Sequence, residues 1–206
     1  MRLFLTSNAL PSSSPSLREE FLNLVGKTPR QIRVVFIPTA SAAERDGPST
    51  PAAHSELMDI GITAENIVDL ELDHPISVDE LMRFDVIFVD GGNTFYLLQK
   101  VRESGFDAAI GEYLRQDRGV YGGVSAGTIL AGPDIEIAAP WDDKNAAVLS
   151  DTKGLGMIAT AYSPHYKPED DPILNDYRSK VTYPIQELRD GEAVLSDGAM
   201  DRLVTG

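Results

Sequence analysis

Val86-Ile87-Phe88-Val89 runs into Asp90-Gly91-Gly92-Asn93 and then into Thr94-Phe95-Tyr96-Leu97-Leu98. An unbroken apolar run, a bare glycine turn and an amphipathic stripe follow one another without a spacer. Four apolar residues with no polar alternation suit a strand covered on both faces, as in a parallel sheet. From Thr94 to Val101 the apolar residues Phe95, Leu97, Leu98 and Val101 fall on one helical stripe. A strand, a tight turn and a helix in that order make half of a βαβ unit.

The same alternation extends both ways along the chain. Leu3-Phe4-Leu5, Ile32 to Ile37, Ile67 to Leu70 and Gly119 to Val124 read as further strands, with weaker ones at Met157 to Thr160 and Ala193 to Leu195. Helical patterns lie at Ser16 to Leu22, where Ser16 can cap and Glu19 follows three residues later, and at Asp107 to Arg115. Strands alternating with helices predict an α/β fold, a mostly parallel sheet with helices on both faces. With 206 residues and no repeat, residues 1–206 read as one domain.

Composition removes several function classes. There is no cysteine, so a thiolate nucleophile, a disulfide framework and a Cys-ligated zinc are excluded, and a reducing cytoplasm fits. The net charge of −14 opposes nucleic acid and anionic membranes and suits a solvated acidic surface. No apolar run reaches the roughly 18–20 residues of a membrane helix. The N-terminal apolar stretch is too short for a signal peptide and reads as a first strand. Nothing in the pattern calls for a cofactor or a metal, and a homodimer stays open.

Sites in open parallel sheets form beyond the carboxyl ends of the strands. Three unusual segments lie there: Asp90 to Asn93, Gly123-Val124-Ser125-Ala126-Gly127, and Ser163-Pro164-His165-Tyr166. The second matches the G-x-S-x-G elbow, in which a serine on a sharp strand-to-helix turn exposes its hydroxyl. The N–H of Ala126 would then face a developing oxyanion. A plain strand-to-helix turn would leave the same trace. A serine needs a base. Of His54, His74 and His165, the last follows an apolar strand and is stiffened between Pro164 and Tyr166.

A carboxylate should orient the imidazole, and Asp134, Glu136, Asp142, Asp143 and Asp151 lie between Ser125 and His165. Glu136, within Ile135-Glu136-Ile137, alternates like a strand residue. The Asp90 to Thr94 turn reads as an anion cradle, as a second oxyanion donor through the N–H of Gly92 or Asn93, or simply as a turn with Asn93 capping the helix. No lysine follows in the manner of a phosphate-binding loop.

Together, Asp90-Gly91-Gly92-Asn93-Thr94-Phe95-Tyr96-Leu97-Leu98, Gly123 to Gly127 and Pro164-His165-Tyr166 resemble peptidase family S51, which contains dipeptidase E and cyanophycinase. The resemblance runs in order and spacing over about residues 1–200. It implies a three-layer, flavodoxin-like fold related to the class I glutamine amidotransferase domain, with serine in place of cysteine. It implies Ser125 as nucleophile, His165 as base, and oxyanion donors at Gly92 and Ala126. Carried over by spacing, the acid is Asp142 or Asp143, with Glu136 held in reserve. Asn93 and Tyr166 are the expected substrate contacts.

The expected substrate is a short peptide. An N-terminal aspartate, as in dipeptidase E, would need a cation from Lys144, Lys153, Lys167, Arg178 or Lys180. Two other readings share the residues. A compact α/β-hydrolase esterase has the same Ser, Asp, His order, although no His-Gly oxyanion motif precedes the elbow. A non-catalytic binding domain could also retain the scaffold.

Overall fold

The computed structural model describes residues 1–8, 10–43 and 50–205. Strands and helices alternate through most of the chain: β1 (Arg2–Thr6), α1 (Pro15–Val25), β2 (Val34–Ile37), α2 (Thr50–Asp59), β3 (Ile67–Asp69), α3 (Val78–Leu81), β4 (Val86–Val89), α4 (Thr94–Ser104) and α5 (Phe106–Arg115). Then come β5 (Val120–Val124), α6 (Ala126–Ala131), β6 (Ala161–Ser163), α7 (Asp171–Arg178), β7 (Ile185–Glu187), β8 (Glu192–Ser196) and β9 (Asp201–Thr205). The main sheet has seven strands in the order β3-β2-β4-β5-β1-β8-β9, and β6 pairs with β7 in a separate two-stranded sheet. The first five strands of the main sheet are mutually parallel, and β8 and β9 add an antiparallel edge.

Period-two alternation divides the strand side chains between two cores. Leu3, Leu5, Val35, Ile37, Ile87, Val89 and Tyr121 join the core beneath α4, α5 and α6. Phe4, Val34, Phe36, Val86, Phe88, Val120 and Val124 join the opposite core with α1 and α2. Both faces are therefore covered, which explains why β2 and β4 have no polar position and are buried throughout. The result is the expected α/β three-layer sandwich. In the α1 layer, Phe21 meets Phe4 edge-on at 5.2 Å between ring centres and lies 6.4 Å from Phe88. Gly122 leaves room for that layer, because a Cβ there would lie 2.7 Å from the Phe88 ring.

Local chemistry moves some expected boundaries. The cap of α1 is Ser14, whose Oγ accepts the Leu17 N–H at 3.1 Å, and Pro15 occupies the first turn, where its missing N–H costs nothing. Ser16 is already inside the helix. Met157 to Thr160 is not a strand: the N–H groups of Leu155 and Met157 bond to the carbonyls of Leu130 and Ala131, so this segment closes the end of α6. The strand begins later, at Ala161. Ile135-Glu136-Ile137 turns as a 3₁₀ segment over Glu136–Ala138 rather than extending. Among the described residues no helix is long and apolar enough to cross a membrane.

Two helical glycines give opposite expectations. A Cβ on Gly127 would lie 2.2 Å from the carbonyl oxygen of Val89, whereas one on Gly111 in α5 meets open space. Chemical denaturation should show Gly127→Ala destabilised by about 3 kcal/mol or more, through backbone overpacking. Gly111→Ala should be stabilised by up to about 1 kcal/mol, through helix propensity.

Candidate active site

Ser125 stands where β5 meets α6, with φ +49° and ψ −106°. Few non-glycine residues adopt positive φ, and such a conformation costs about 1–3 kcal/mol. Its surroundings hold it there. The Ser125 N–H donates to the Thr6 carbonyl on β1 at 3.1 Å, and its own carbonyl accepts the N–H groups of Thr128 and Ile129 at 2.9 and 3.0 Å. The flanking glycines make the turn sterically feasible. A Cβ on Gly123 would lie 2.7 Å from the Gly127 carbonyl carbon, just as one on Gly127 would strike β4.

His165 follows β6 and also has positive φ, +56°. Its backbone N–H donates to Ser7 Oγ at 2.7 Å. The ring spans two partners, with Nε2 3.0 Å from Ser125 Oγ and Nδ1 2.9 Å from Asp190 Oδ1. Asp190 arrives by way of the parallel β6–β7 pair. The ladder continues past the strands, from Leu188 N–H to the Ser163 carbonyl at 2.9 Å and from Tyr166 N–H to the Leu188 carbonyl at 3.3 Å. A turn then reverses the chain, closed by the Glu192 N–H on the Arg189 carbonyl at 3.0 Å. Gly191 at φ +83° supplies the positive φ that such a turn requires.

Ser7 ties the histidine to the acid. Fully buried just after β1, it accepts the His165 N–H and donates its hydroxyl to Asp190 Oδ1 at 3.0 Å. One side chain therefore fixes both the backbone of the imidazole and the carboxylate that faces it. Side-chain exposures of 49% for His165 and 56% for Asp190 leave the pair open to solvent and to an incoming molecule.

The glycine turn after β4 lies against the serine, since a Cβ on Gly91 would sit 3.3 Å from Ser125 Cβ. Gly92, at φ +130°, passes so close to Ala40 that a Cβ would lie 2.4 Å from its carbonyl carbon. The Asn93 N–H is consumed by the Ala40 carbonyl at 3.1 Å. Among the described residues nothing accepts the N–H of Gly92 or of Ala126, the first residue of α6. Two backbone N–H groups without an acceptor among the described residues therefore belong to the turns that adjoin Ser125.

The remaining expected residues have other partners. Asn93 caps α4, its Oδ1 accepting the Tyr96 N–H at 2.9 Å while Nδ2 donates to the Asp143 carbonyl at 3.0 Å. Tyr166 donates its hydroxyl to Asp171 at 2.8 Å, an interaction that, with burial, raises its pKa. Arg189 stacks over its ring at 5.2 Å. Tyr166 therefore supports the Asp190 turn rather than lining the cavity at Ser125.

Asp142 Oδ2 accepts the Thr94 N–H at 2.7 Å, Asp143 caps a short 3₁₀ turn through the Asn145 N–H, and Glu136 pairs with Lys144. None of the three is brought to His165. The carboxylate on Nδ1 is Asp190, which lies beyond His165 in the chain and so outside the interval between Ser125 and His165 where the sequence predicts it. Its local signal is slight: an Asp-Gly turn immediately before the apolar strand β8.

A cavity of about 300 Å³ opens beside Ser125 and His165, with Ile129, Ile137, Trp141 and Asp142 among its walls. Of the five expected cations only Lys167 lines it. Lys144, Arg178 and Lys180 are paired with Glu136, Glu187 and Asp176, and Lys153 lines a different surface depression. Among the described residues no cluster of His, Asp and Glu is placed to hold a metal ion.

The sequence profile of peptidase family S51 matches residues 3–204. An uncharacterized peptidase of Listeria monocytogenes is 33% identical over 191 residues, covering 89% of each chain. Peptidase E of Streptomyces coelicolor is 27% identical over 216 residues, spanning all of this chain and 84% of that one. Among solved structures, that of a candidate peptidase E protein from L. monocytogenes EGD-e superimposes with a TM-score of 0.81 at 27% identity, covering all of this chain and 98% of the other. The chain belongs to peptidase family S51 and is a serine-type peptidase.

Proposed function

We propose that Ser125, His165 and Asp190 act as a catalytic relay that hydrolyses short peptides through an acyl-enzyme. The observation that carries this reading is the unbroken line from Ser125 Oγ to His165 Nε2 at 3.0 Å and from Nδ1 to Asp190 at 2.9 Å. As Oγ attacks the peptide carbonyl carbon, Nε2 takes its proton. Asp190 accepts the hydrogen bond from Nδ1, selects the tautomer that leaves Nε2 free, and stabilises the imidazolium that forms. The amides of Gly92 and Ala126 receive the oxyanion. Collapse of the tetrahedral adduct breaks the C–N bond, and His165 protonates the departing amine. A water molecule, deprotonated at the same nitrogen, then releases the acid and restores Ser125.

The cavity supports a small substrate, because about 300 Å³ is at the lower end for ligand pockets. The peptidase relatives favour amide over ester hydrolysis, and the assembled relay favours an enzyme over a binding domain. For a peptide beginning with aspartate, the lining offers, among the described residues, one lysine, Lys167, against Asp142, Glu169 and Asp170. Hydrolysis of short peptides is therefore the function proposed here, and the charge of the pocket bears on which ones.

Turnover of a dipeptide library at neutral pH, with circular dichroism as the check on folding, tests these roles. Ser125→Ala should lose at least about 10⁴-fold in kcat, and full activity would refute its role. Asp190→Asn should lose about 10³–10⁴-fold, whereas Asp143→Asn should stay within about threefold of the parent chain. Ser7→Ala, which removes the bond to each partner but leaves both in place, should lose about tenfold in kcat with KM little changed.

A further inference from the structure

The lining of the cavity beside Ser125 and His165 carries unbalanced charge and an unanswered hydroxyl. Asp142, Glu169 and Asp170 line it against one lysine or arginine among the described residues, Lys167, which leaves an excess of negative sites. Asp170 is committed in part, since Oδ2 accepts the Lys167 N–H at 2.8 Å. Asp142 spends Oδ2 on the Thr94 N–H, while Oδ1 has no partner among the described residues. Glu169 has neither a hydrogen bond nor an ion pair among them. Thr94 lines the same cavity, is only 1% exposed, and its Oγ1 has no hydrogen-bond partner.

A buried hydroxyl without a partner costs roughly 1–3 kcal/mol, so such groups usually have one in a working state of the protein. Trp141 is exposed and lines the same cavity, adding an aromatic ring of the kind that attracts cations.

We infer that this lining binds an ammonium group of the peptide substrate, with Asp142 as the residue that selects it. An –NH₃⁺ group has three donors and no acceptor, which complements a free carboxylate oxygen and a hydroxyl able to accept. A substrate carboxylate would instead face like charges, and the chain's net charge of −14 adds to that barrier. The inference rests on the peptidase reading of Ser125 but concerns binding rather than bond cleavage. The ammonium is either the free amino terminus of the peptide or a lysine side chain, and the test separates the two sources.

Ser125→Ala holds a peptide without turning it over, so calorimetric titration of this variant reads the pocket directly. The ligands are Ala-Leu, N-acetyl-Ala-Leu, N-acetyl-Lys-Leu and Asp-Leu. Ala-Leu or N-acetyl-Lys-Leu should bind at least about tenfold more tightly than N-acetyl-Ala-Leu, and whichever does so locates the ammonium. Asp-Leu should bind more weakly than Ala-Leu. Adding Asp142→Asn should erase most of the tenfold preference while leaving N-acetyl-Ala-Leu unaffected. The asparagine amide oxygen can still accept the Thr94 N–H, so the end of α4 stays capped. Glu169→Gln, on an exposed side chain, should lose about two- to threefold.

Equal binding of the acetylated and ammonium-bearing peptides, absence of binding by both ammonium carriers, or tighter binding of Asp-Leu than of Ala-Leu would overturn the inference. An ammonium preference without hydrolysis by the unsubstituted chain would sink the peptidase assignment of Ser125 and leave this one standing. Hydrolysis without such a preference would do the reverse.

Discussion

Everything at the site depends on the backbone of Ser125 being held at φ +49° between a strand and a helix. A residue with a side chain stays there only if its neighbours overdetermine the turn, and here they do so from three directions. The Thr6 carbonyl on β1 takes its N–H, the first turn of α6 takes its carbonyl, and Gly123 and Gly127 leave no Cβ to separate α6 from β5 and β4. The sheet order follows the same logic. Placing β5 between β4 and β1 puts the serine beside the Gly91-Gly92 turn on one side and Ser7 on the other. His165 is, like Asp117 elsewhere, another non-glycine residue at positive φ, so two of these three strained residues face each other.

The carboxylate reaches the histidine by a longer route than the serine does. Neither β6 nor β7 belongs to the main sheet, and each is only three residues long. Their parallel pairing nevertheless carries the Arg189–Glu192 turn to the imidazole, and the buried hydroxyl of Ser7 fixes the arrival. The same carboxylate oxygen serves His165 and Ser7, so the pair is held by a small network rather than by one contact.

How much of this was legible in the residues depended on the range of the interactions. Val86 to Val89, the glycine turn, the elbow and the α4 stripe are local signals, and each fell where the pattern placed it. His165 was recognisable because it ends an apolar run next to a proline. Asp190 was not, because its proximity to His165 arises from a long-range strand pairing with no hydrophobic period of its own. The acidic residues between Ser125 and His165 stand out by chain order and by the spacing that the family resemblance implies, neither of which reports a contact in space. Asp142 does reach the site, but it meets the helix end at Thr94 and not the imidazole. Asn93 illustrates the converse case, in which the plainest reading of a residue, a helix cap, was the structural one.

Low-field proton NMR observes the bond between Asp190 and His165 Nδ1 directly. A downfield imidazole N–H resonance should be present, disappear in His165→Ala and in Asp190→Ala, and persist in Asp142→Asn. Persistence of the resonance in Asp190→Ala together with its loss in Asp142→Asn would contradict the Asp190 pairing.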